Sequence, residues 1–311
     1  RKRAKHCCVS VPFGKVPVCK SGEPRVQVRL HPLLLAMPVL AMWSVITNWD
    51  KLGNYAWQYM LVRLFYSTIG LFGTVLIHEI GHLAVAVRFG CTPKHILLWP
   101  LGGLAVIGMD SPLPYMKRVA IAVAGPLTHV PMIAIWVLLF AATGCKYEWG
   151  AVNCWAYVKD DGTVFHDPDI WWWSYLTALM FELNITMFAF NLLVPIVPLD
   201  ASIIVVSTLL HCRVDKMRIA RIIMCLSVLG LVFLTAQWVV FFTRSDGITV
   251  SPLTLFLIGW LLLNTYTVYS AYKGGPAALD RHPLFISCNL SAAPPEPPVG
   301  AAQPSTVAGV A

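Results

Sequence analysis

The chain contains six long apolar stretches separated by shorter polar segments. These stretches cover approximately residues 32–48, 64–87, 119–142, 170–193, 219–242 and 253–272. Each is close to the roughly 20 residues that a helix needs to cross a bilayer. We therefore predict an all-α polytopic membrane protein with about six transmembrane helices, in direct contact with the lipid bilayer.

Two regions depart from a simple helical crossing. The fourth stretch continues to about residue 211, and Pro195 and Pro198 interrupt it, so we expect a helix, an irregular segment and a second helical piece. Irregular backbone at membrane depth is tolerated only inside protein or beside a water-filled cavity. Residues 191–200 are therefore predicted to lie near a functional site. Residues 91–110 are apolar but broken by Gly102-Gly103, which predicts a small membrane-embedded β-hairpin.

The remaining segments divide the chain into three parts. Residues 1–29 are basic with Glu23 as their single carboxylate, which is typical of a cytoplasmic arm or of the remnant of an organelle transit sequence. Residues 30–272 would form the transmembrane domain. Residues 273–311 are rich in Pro, Ala, Gly and Ser and predict a disordered tail.

Composition agrees with this division and excludes other classes of protein. The chain is 57% hydrophobic and 12% charged, whereas ordinary soluble domains have about 45–50% apolar and about 25% charged residues. This excludes a soluble single domain, and the high hydrophobicity excludes a disordered chain. Despite the net charge of +8 we predict no nucleic-acid partner, because basic residues in a membrane protein usually reflect its topology.

The charged residues alternate along the loops. Basic residues lie between stretches two and three and between stretches four and five, whereas the loop 143–169 is acidic. Lys and Arg are held on the inner side of a membrane. We therefore predict that both termini face the cytoplasm or, in an organelle such as a chloroplast, the stroma. The acidic outer loop also holds Cys145 and Cys154, the pair that the sequence offers for a disulfide.

The second apolar stretch contains the sequence HEIGH at residues 78–82. His78 and His82 are four residues apart, so on a helix both imidazoles project from one face at a distance suited to chelating a metal. Glu79 follows directly and can reach a water molecule beside that metal as a general base. Ionisable groups within a bilayer are costly unless they are used. The alternative is that these side chains are only hydrogen-bonded to one another inside a helical bundle.

A third ligand can be derived from membrane depth. Catalytic zinc usually takes three protein ligands and keeps one open position. His78 and His82 lie 10 and 6 residues before Arg88, the inner end of their stretch, and Asp200 lies 13 residues before Arg213. At about 1.5 Å per helical residue, and with the prolines shortening the second distance, all three fall in one layer. Asp200 is therefore the predicted third ligand, and we expect one Zn²⁺ per chain.

Four motifs together resemble the site-2 protease family, which consists of intramembrane zinc metalloproteases that cut substrates within or next to their membrane spans. The motifs are HEIGH at 78–82, PLGGLA at 100–105, AGP at 124–126 and NLLVPIVPLD at 191–200. The resemblance implies zinc ligation by His78, His82 and Asp200 and catalysis by Glu79 as base. It further implies that Asn191 helps to place the substrate or the irregular backbone, and that the hairpin at Gly102 and Gly103 offers a strand edge to unwound substrate.

The chain departs from the family pattern at two places. The family usually follows the aspartate with two glycines, but Ala201 and Ser202 stand here. The family often has Asn after AGP, where this chain has Thr128-His129. His129 would either approach the metal or substrate, or be a hydrogen-bonded histidine of the bundle. The loop and tail lengths resemble the compact six-span branch that lacks PDZ and CBS domains.

The predicted function is that of a zinc metalloendopeptidase that cleaves transmembrane protein substrates, as in regulated intramembrane proteolysis. Two alternatives come from other classes. A metal transporter would use the histidines and the aspartate but gives no role to Glu79. A catalytically inactive homologue would bind membrane proteins without cutting them, and the residues Ala201 and Ser202 are the feature in its favour.

Overall fold

The computed structural model describes residues 11–17, 25–47, 56–99, 102–108, 113–148, 151–153, 157–158, 164–165, 168–244 and 252–285. Helices dominate these residues. They are α1 (Ala36–Ile46), α2 (Ala56–Phe65), α3 (Leu71–Arg88), α4 (Tyr115–Leu127), α5 (His129–Ala141), α6 (Pro168–Leu193), α7 (Asp200–His211), α8 (Lys216–Arg244), α9 (Pro252–Lys273) and the short α10 (Pro276–Leu279). A π-helical turn at Tyr66–Gly70 joins α2 to α3, and a 3₁₀ turn at Pro32–Leu35 precedes α1.

Four helical segments of the described chain are long and apolar enough to cross a membrane: Met60–Arg88, Tyr115–Ala141, Trp172–Leu193 and Lys216–Gln237. They correspond to the second to fifth predicted stretches. The first predicted stretch forms only the 3₁₀ turn and the 11-residue α1, about 17 Å of helix against a hydrocarbon core of about 30 Å. The last stretch forms the 22-residue α9.

Polarity in this bundle is opposite to that of a soluble protein. Large apolar side chains on the long helices are exposed, including Leu138 at 69% and Phe233 at 60%, while His129, Asn184 and Ser227 are fully buried. Lipid accepts an apolar surface, whereas polar groups must find partners within the protein. With the long apolar helices, this pattern is that of an integral membrane protein.

A four-stranded sheet packs against α3. Its strands are β1 (Val11–Pro17), β2 (Arg25–Leu30), β3 (Thr92–Trp99) and β4 (Gly102–Gly108), in that spatial order. β3 and β4 pair antiparallel, and β2 adds to β3 in parallel. Part of the segment predicted as a basic arm thus belongs to the sheet. The reason is the alternation of buried Val26 and Val28 with partly exposed neighbours, which gives the strand one apolar face.

The helix break predicted near residues 191–200 lies between α6 and α7. Residues 194–199 are non-helical, and Ile196 and Val197 within them are buried. The backbone N–H of Val197 donates to the Ser227 hydroxyl of α8 at 3.2 Å. The irregular backbone is therefore enclosed by protein, as its position in an apolar stretch requires.

Residues 276–285, after α9, pack against the bundle, although the whole region 273–311 was predicted to be a disordered tail. Leu279, Leu284 and Phe285 are buried against α7 and α8. Their apolar side chains supply the packing that the surrounding Pro, Gly and Ala residues lack, which explains the difference. Residues 286–311 lie outside the described residues.

One cysteine of the predicted disulfide, Cys145, lies four residues after the end of α5. Cys145 is disulfide-bonded in the structure, and Cys154 lies outside the described residues. Within the described residues, Cys91, Cys212 and Cys225 take part in no disulfide.

Candidate active site

Helix α4 brings the two halves of the site together by packing against both α3 and α7. On α3 the buried positions recur every three to four residues, and this buried face includes His78, Glu79 and His82. α7 begins at Asp200, which places its carboxylate at the end of the irregular segment. The motif and the aspartate, 122 residues apart in sequence, thus meet across α4.

Three potential ligand atoms form a small triangle. His78 Nε2 and His82 Nε2 are 3.0 Å apart, and Asp200 Oδ2 lies 3.1 Å from the first and 3.3 Å from the second. Tetrahedral zinc holds N and O ligands at about 2.0–2.2 Å, which separates the ligand atoms by about 3.3–3.6 Å. The triangle is within a few tenths of an ångström of that requirement, so the residues present fit a zinc ion.

The opposite nitrogens of both imidazoles are also engaged. His82 Nδ1 lies 2.7 Å from the Ile121 carbonyl oxygen of α4, and His78 Nδ1 lies 3.0 Å from His129 Nε2. Metal-ligating histidines almost always use their second nitrogen in this way, which fixes the tautomer and the ring orientation. Both rings therefore present Nε2 towards Asp200.

Gly125 of α4 lies directly against the ligand atoms. A Cβ atom at this position would stand 2.3 Å from His82 Nε2 and 2.8 Å from His78 Nε2. Such distances are far below van der Waals contact. The helix can carry the Ile121 carbonyl to His82 because residue 125 has no side chain. The family resemblance includes the AGP motif at 124–126 but does not predict this steric role of Gly125.

Glu79 occupies the side of the site that faces the sheet. Its side chain is buried, and one carboxylate oxygen lies within 4.8 Å of the histidine nitrogens. A Cβ at Gly103 would stand 2.3 Å from Glu79 Cγ and 2.6 Å from Glu79 Oε1. The start of β4 therefore touches the carboxylate, and Gly103 is the residue that permits this contact. Gly102 precedes it with a φ of +141°, a conformation that favours glycine.

The two residues after Asp200 need no glycine in this chain. α7 begins at Asp200, so Ala201 and Ser202 lie in its first turn and are buried. The Ser202 hydroxyl donates to the Leu199 carbonyl oxygen at 2.6 Å. Replacement of the usual glycines thus leaves the aspartate beside both histidines.

The remaining predicted site residues differ in their positions. His129, at the start of α5, is fully buried behind His78. Asn191, in the last turn of α6, donates its amide to the Met187 carbonyl oxygen at 3.1 Å within its own helix. Asn184 of α6 was not among the predicted site residues, although a polar side chain within an apolar stretch could have indicated a role. Its Oδ1 lies 3.0 Å from His129 Nδ1.

Comparison with known proteins places this arrangement in a family. The sequence profile described as Peptidase family M50 matches residues 66–236, which include the HEIGH motif, the AGP motif and Asp200. The chain belongs to the M50 family of site-2 proteases. This match extends over all four residues of the candidate centre, over the whole of helices α3 to α7 and over most of α8.

Individual relatives of this M50 chain resemble shorter segments of it. Stage IV sporulation protein FB of Bacillus subtilis is 40% identical over 65 residues, 21% of this chain and 23% of that protein. Zinc metalloprotease MJ0392 of Methanocaldococcus jannaschii is 32% identical over 103 residues, 33% of this chain and 26% of that protein. The matched segments thus span about a quarter of each curated relative.

Among solved structures, the site-2 protease from Methanocaldococcus jannaschii aligns with a TM-score of 0.47 and 18% identity. The alignment covers 83% of this M50 chain and 94% of that one.

Proposed function

We propose that this M50 protein is an intramembrane zinc metalloendopeptidase that hydrolyses peptide bonds of membrane-spanning protein substrates. The observation that carries the proposal is the buried Glu79 carboxylate on the apolar helix α3. It lies beside the triangle that His78 and His82 form with Asp200. Acyl transfer with a metal needs a ligand set and a separate base within reach of water. Here the two are present as distinct groups.

The geometry of the side chains supports the proposed roles. His78, His82 and Asp200 would hold one zinc ion, with both imidazoles neutral and protonated on Nδ1. The chemistry that bound zinc supplies is polarisation of the scissile carbonyl and activation of a water molecule near neutral pH. Glu79 would accept a proton from the attacking water as the oxygen of that water bonds to the carbonyl carbon. Glu79 then delivers the proton to the amide nitrogen as the C–N bond breaks.

The sheet offers a means of presenting the substrate. Within the described residues β4 pairs with β3 along one edge, and its first residues touch Glu79 at Gly103. A substrate strand added to the other edge of β4 would run past the base in extended form. Extended backbone matters because the peptide bonds of an intact helix are shielded from attack. Asn191 is proposed to help to place the substrate or the irregular backbone before Asp200.

The two alternatives use less of the site. A metal transporter needs the three ligands but leaves the buried Glu79 without a role, and burial of an unused carboxylate is costly. The case for an inactive homologue relied on Ala201 and Ser202, and both fit the first turn of α7. The peptidase uses all four chemical groups.

The positions relative to the membrane are also part of the proposal. Both termini and the basic loops would lie on the cytoplasmic or stromal side, with the acidic loop 143–169 on the other side. The layer that contains His78, His82 and Asp200 would then lie nearer the inner face of the membrane.

The experiment compares the membrane proteome of cells that express wild type with that of cells that express Glu79→Gln. We expect membrane-spanning precursors to accumulate in the variant, because substrates remain bound or uncut. Identical membrane proteomes would contradict the proposed peptidase activity. Zinc flux into proteoliposomes by both proteins would instead support a transporter.

A further inference from the structure

A line of hydrogen-bonded side chains runs from the ligand triangle into the bundle. His78 Nδ1 lies 3.0 Å from His129 Nε2, and His129 Nδ1 lies 3.0 Å from Asn184 Oδ1. The Asn184 amide nitrogen donates to the Met180 carbonyl oxygen at 2.8 Å. The line crosses three helices, since His78 is on α3, His129 is on α5 and Asn184 is on α6.

Only one direction of donation satisfies every member when both rings are neutral. A histidine that binds metal through Nε2 carries its proton on Nδ1, so His78 donates to His129 Nε2. His129 then carries its own proton on Nδ1 and donates to Asn184 Oδ1. Asn184 closes the line by donating to a backbone carbonyl. Reversing any one step would place two donors or two acceptors against each other.

Burial separates this line from substrate. His129 and Asn184 are both 0% exposed, so neither presents a surface that a substrate could touch. A buried N–H without an acceptor loses the full free energy of hydration of that group. Loss of the His129 acceptor would therefore favour rotation of the His78 ring, or its other tautomer, over the orientation that points Nε2 at Asp200.

We propose that His129 and Asn184 are positioning residues that fix the tautomer and ring orientation of His78 for zinc binding. This inference rests on the zinc site of the proposed function. His82 has its equivalent acceptor in the Ile121 backbone carbonyl, which residue 121 supplies whatever its side chain. The His78 side is thus the one that depends on side chains. Loss of such outer partners typically lowers metal affinity about 10–100-fold.

The test compares His129→Gln with His129→Met. The two new side chains are close in length and volume, but only Gln carries a strong acceptor, and its amide oxygen reaches about as far from Cβ as imidazole Nε2. Zinc affinity of purified full-length protein is measured by competition with a chromophoric chelator. The visible spectrum of the Co²⁺ form reports ligand geometry independently of cleavage. Thr177→Val on α6 is the packing control, because that buried hydroxyl bonds only carbonyls of its own helix.

We expect His129→Gln and Thr177→Val to bind zinc within about threefold of wild type and His129→Met to bind about 10–100-fold more weakly, with a changed Co²⁺ spectrum. Asn184→Leu should show a smaller loss in the same direction. Equal affinities of the Gln and Met variants would overturn the proposal. Should His129→Met not fold, a loss above tenfold in His129→Gln would overturn it. Absence of zinc from wild type would instead refute the proposed function.

Discussion

Gly125→Ala adds a single methyl group at the point where α4 touches the ligand atoms. The new Cβ would stand 2.3 Å from His82 Nε2. Reaching even a compressed separation of about 3.0 Å requires a movement of about 0.7 Å, and an ordinary contact of about 3.5 Å requires about 1.2 Å. Metal–ligand distances are held within about 0.2 Å. The required movement therefore exceeds what a zinc site tolerates.

The helix cannot relieve the overlap by moving away without another loss. Displacement of α4 would withdraw the Ile121 carbonyl oxygen that accepts from His82 Nδ1 at 2.7 Å. We therefore expect zinc affinity to fall at least about 100-fold, or about 2.8 kcal/mol. Chelator competition on purified protein measures the affinity, and thermal melting of the metal-free form separates this loss from unfolding.

Gly73→Ala is the matched control on α3, because a Cβ there has no neighbour within 4 Å. Its zinc affinity should equal that of wild type, and its stability should rise by about 0.5–1 kcal/mol, as for a helical Gly→Ala change. A Gly125→Ala protein that binds zinc within threefold of wild type would refute the steric reasoning.

Three further predictions concern the metal ligands, the membrane topology and the packing of Phe285. His78→Ala or Asp200→Ala should remove zinc from the purified protein by elemental analysis, and full zinc in either variant would exclude that residue as a ligand. On a cysteine-free background, cysteine at position 155 should be labelled only from outside and cysteine at position 215 only from inside; the reverse labelling would contradict the charge argument. Phe285→Ala should lower the free energy of unfolding of the purified protein by about 3–5 kcal/mol, since Phe285 is fully buried. An unchanged midpoint of chemical denaturation would show that this segment does not stabilise the bundle.

The arrangement of His78, His82 and Asp200 was accessible from sequence because it depends on local spacing and membrane depth. The spacing of four residues places His78 and His82 on one helical face. Counting residues to the inner boundary places Asp200 in the same layer, where the structure has its carboxylate within 3.3 Å of both rings. The helix break before it also follows from local features, since Pro195 and Pro198 interrupt an apolar run.

Features that depend on contacts between distant segments were not accessible in the same way. The parallel pairing of β2 with β3 joins residues about 70 positions apart, and no local pattern encodes such a partner. The line from His78 through His129 to Asn184 similarly needs three helices in their final arrangement. The role of Gly125 depends on how closely two helix backbones approach, which its AGP motif does not specify.

The most direct measurement pairs zinc content with cleavage in Glu79→Gln. Wild type, Glu79→Gln and the control Glu182→Gln on α6 are reconstituted with a membrane-spanning precursor identified by the proteome comparison. Because Gln keeps the size of Glu79 and removes only the basic carboxylate, the variant should hold zinc like wild type and cleave at least about 100-fold more slowly. The control should match wild type in both. Near-normal cleavage by Glu79→Gln would contradict the assignment of the base, and loss of its zinc would show that Glu79 is a ligand instead.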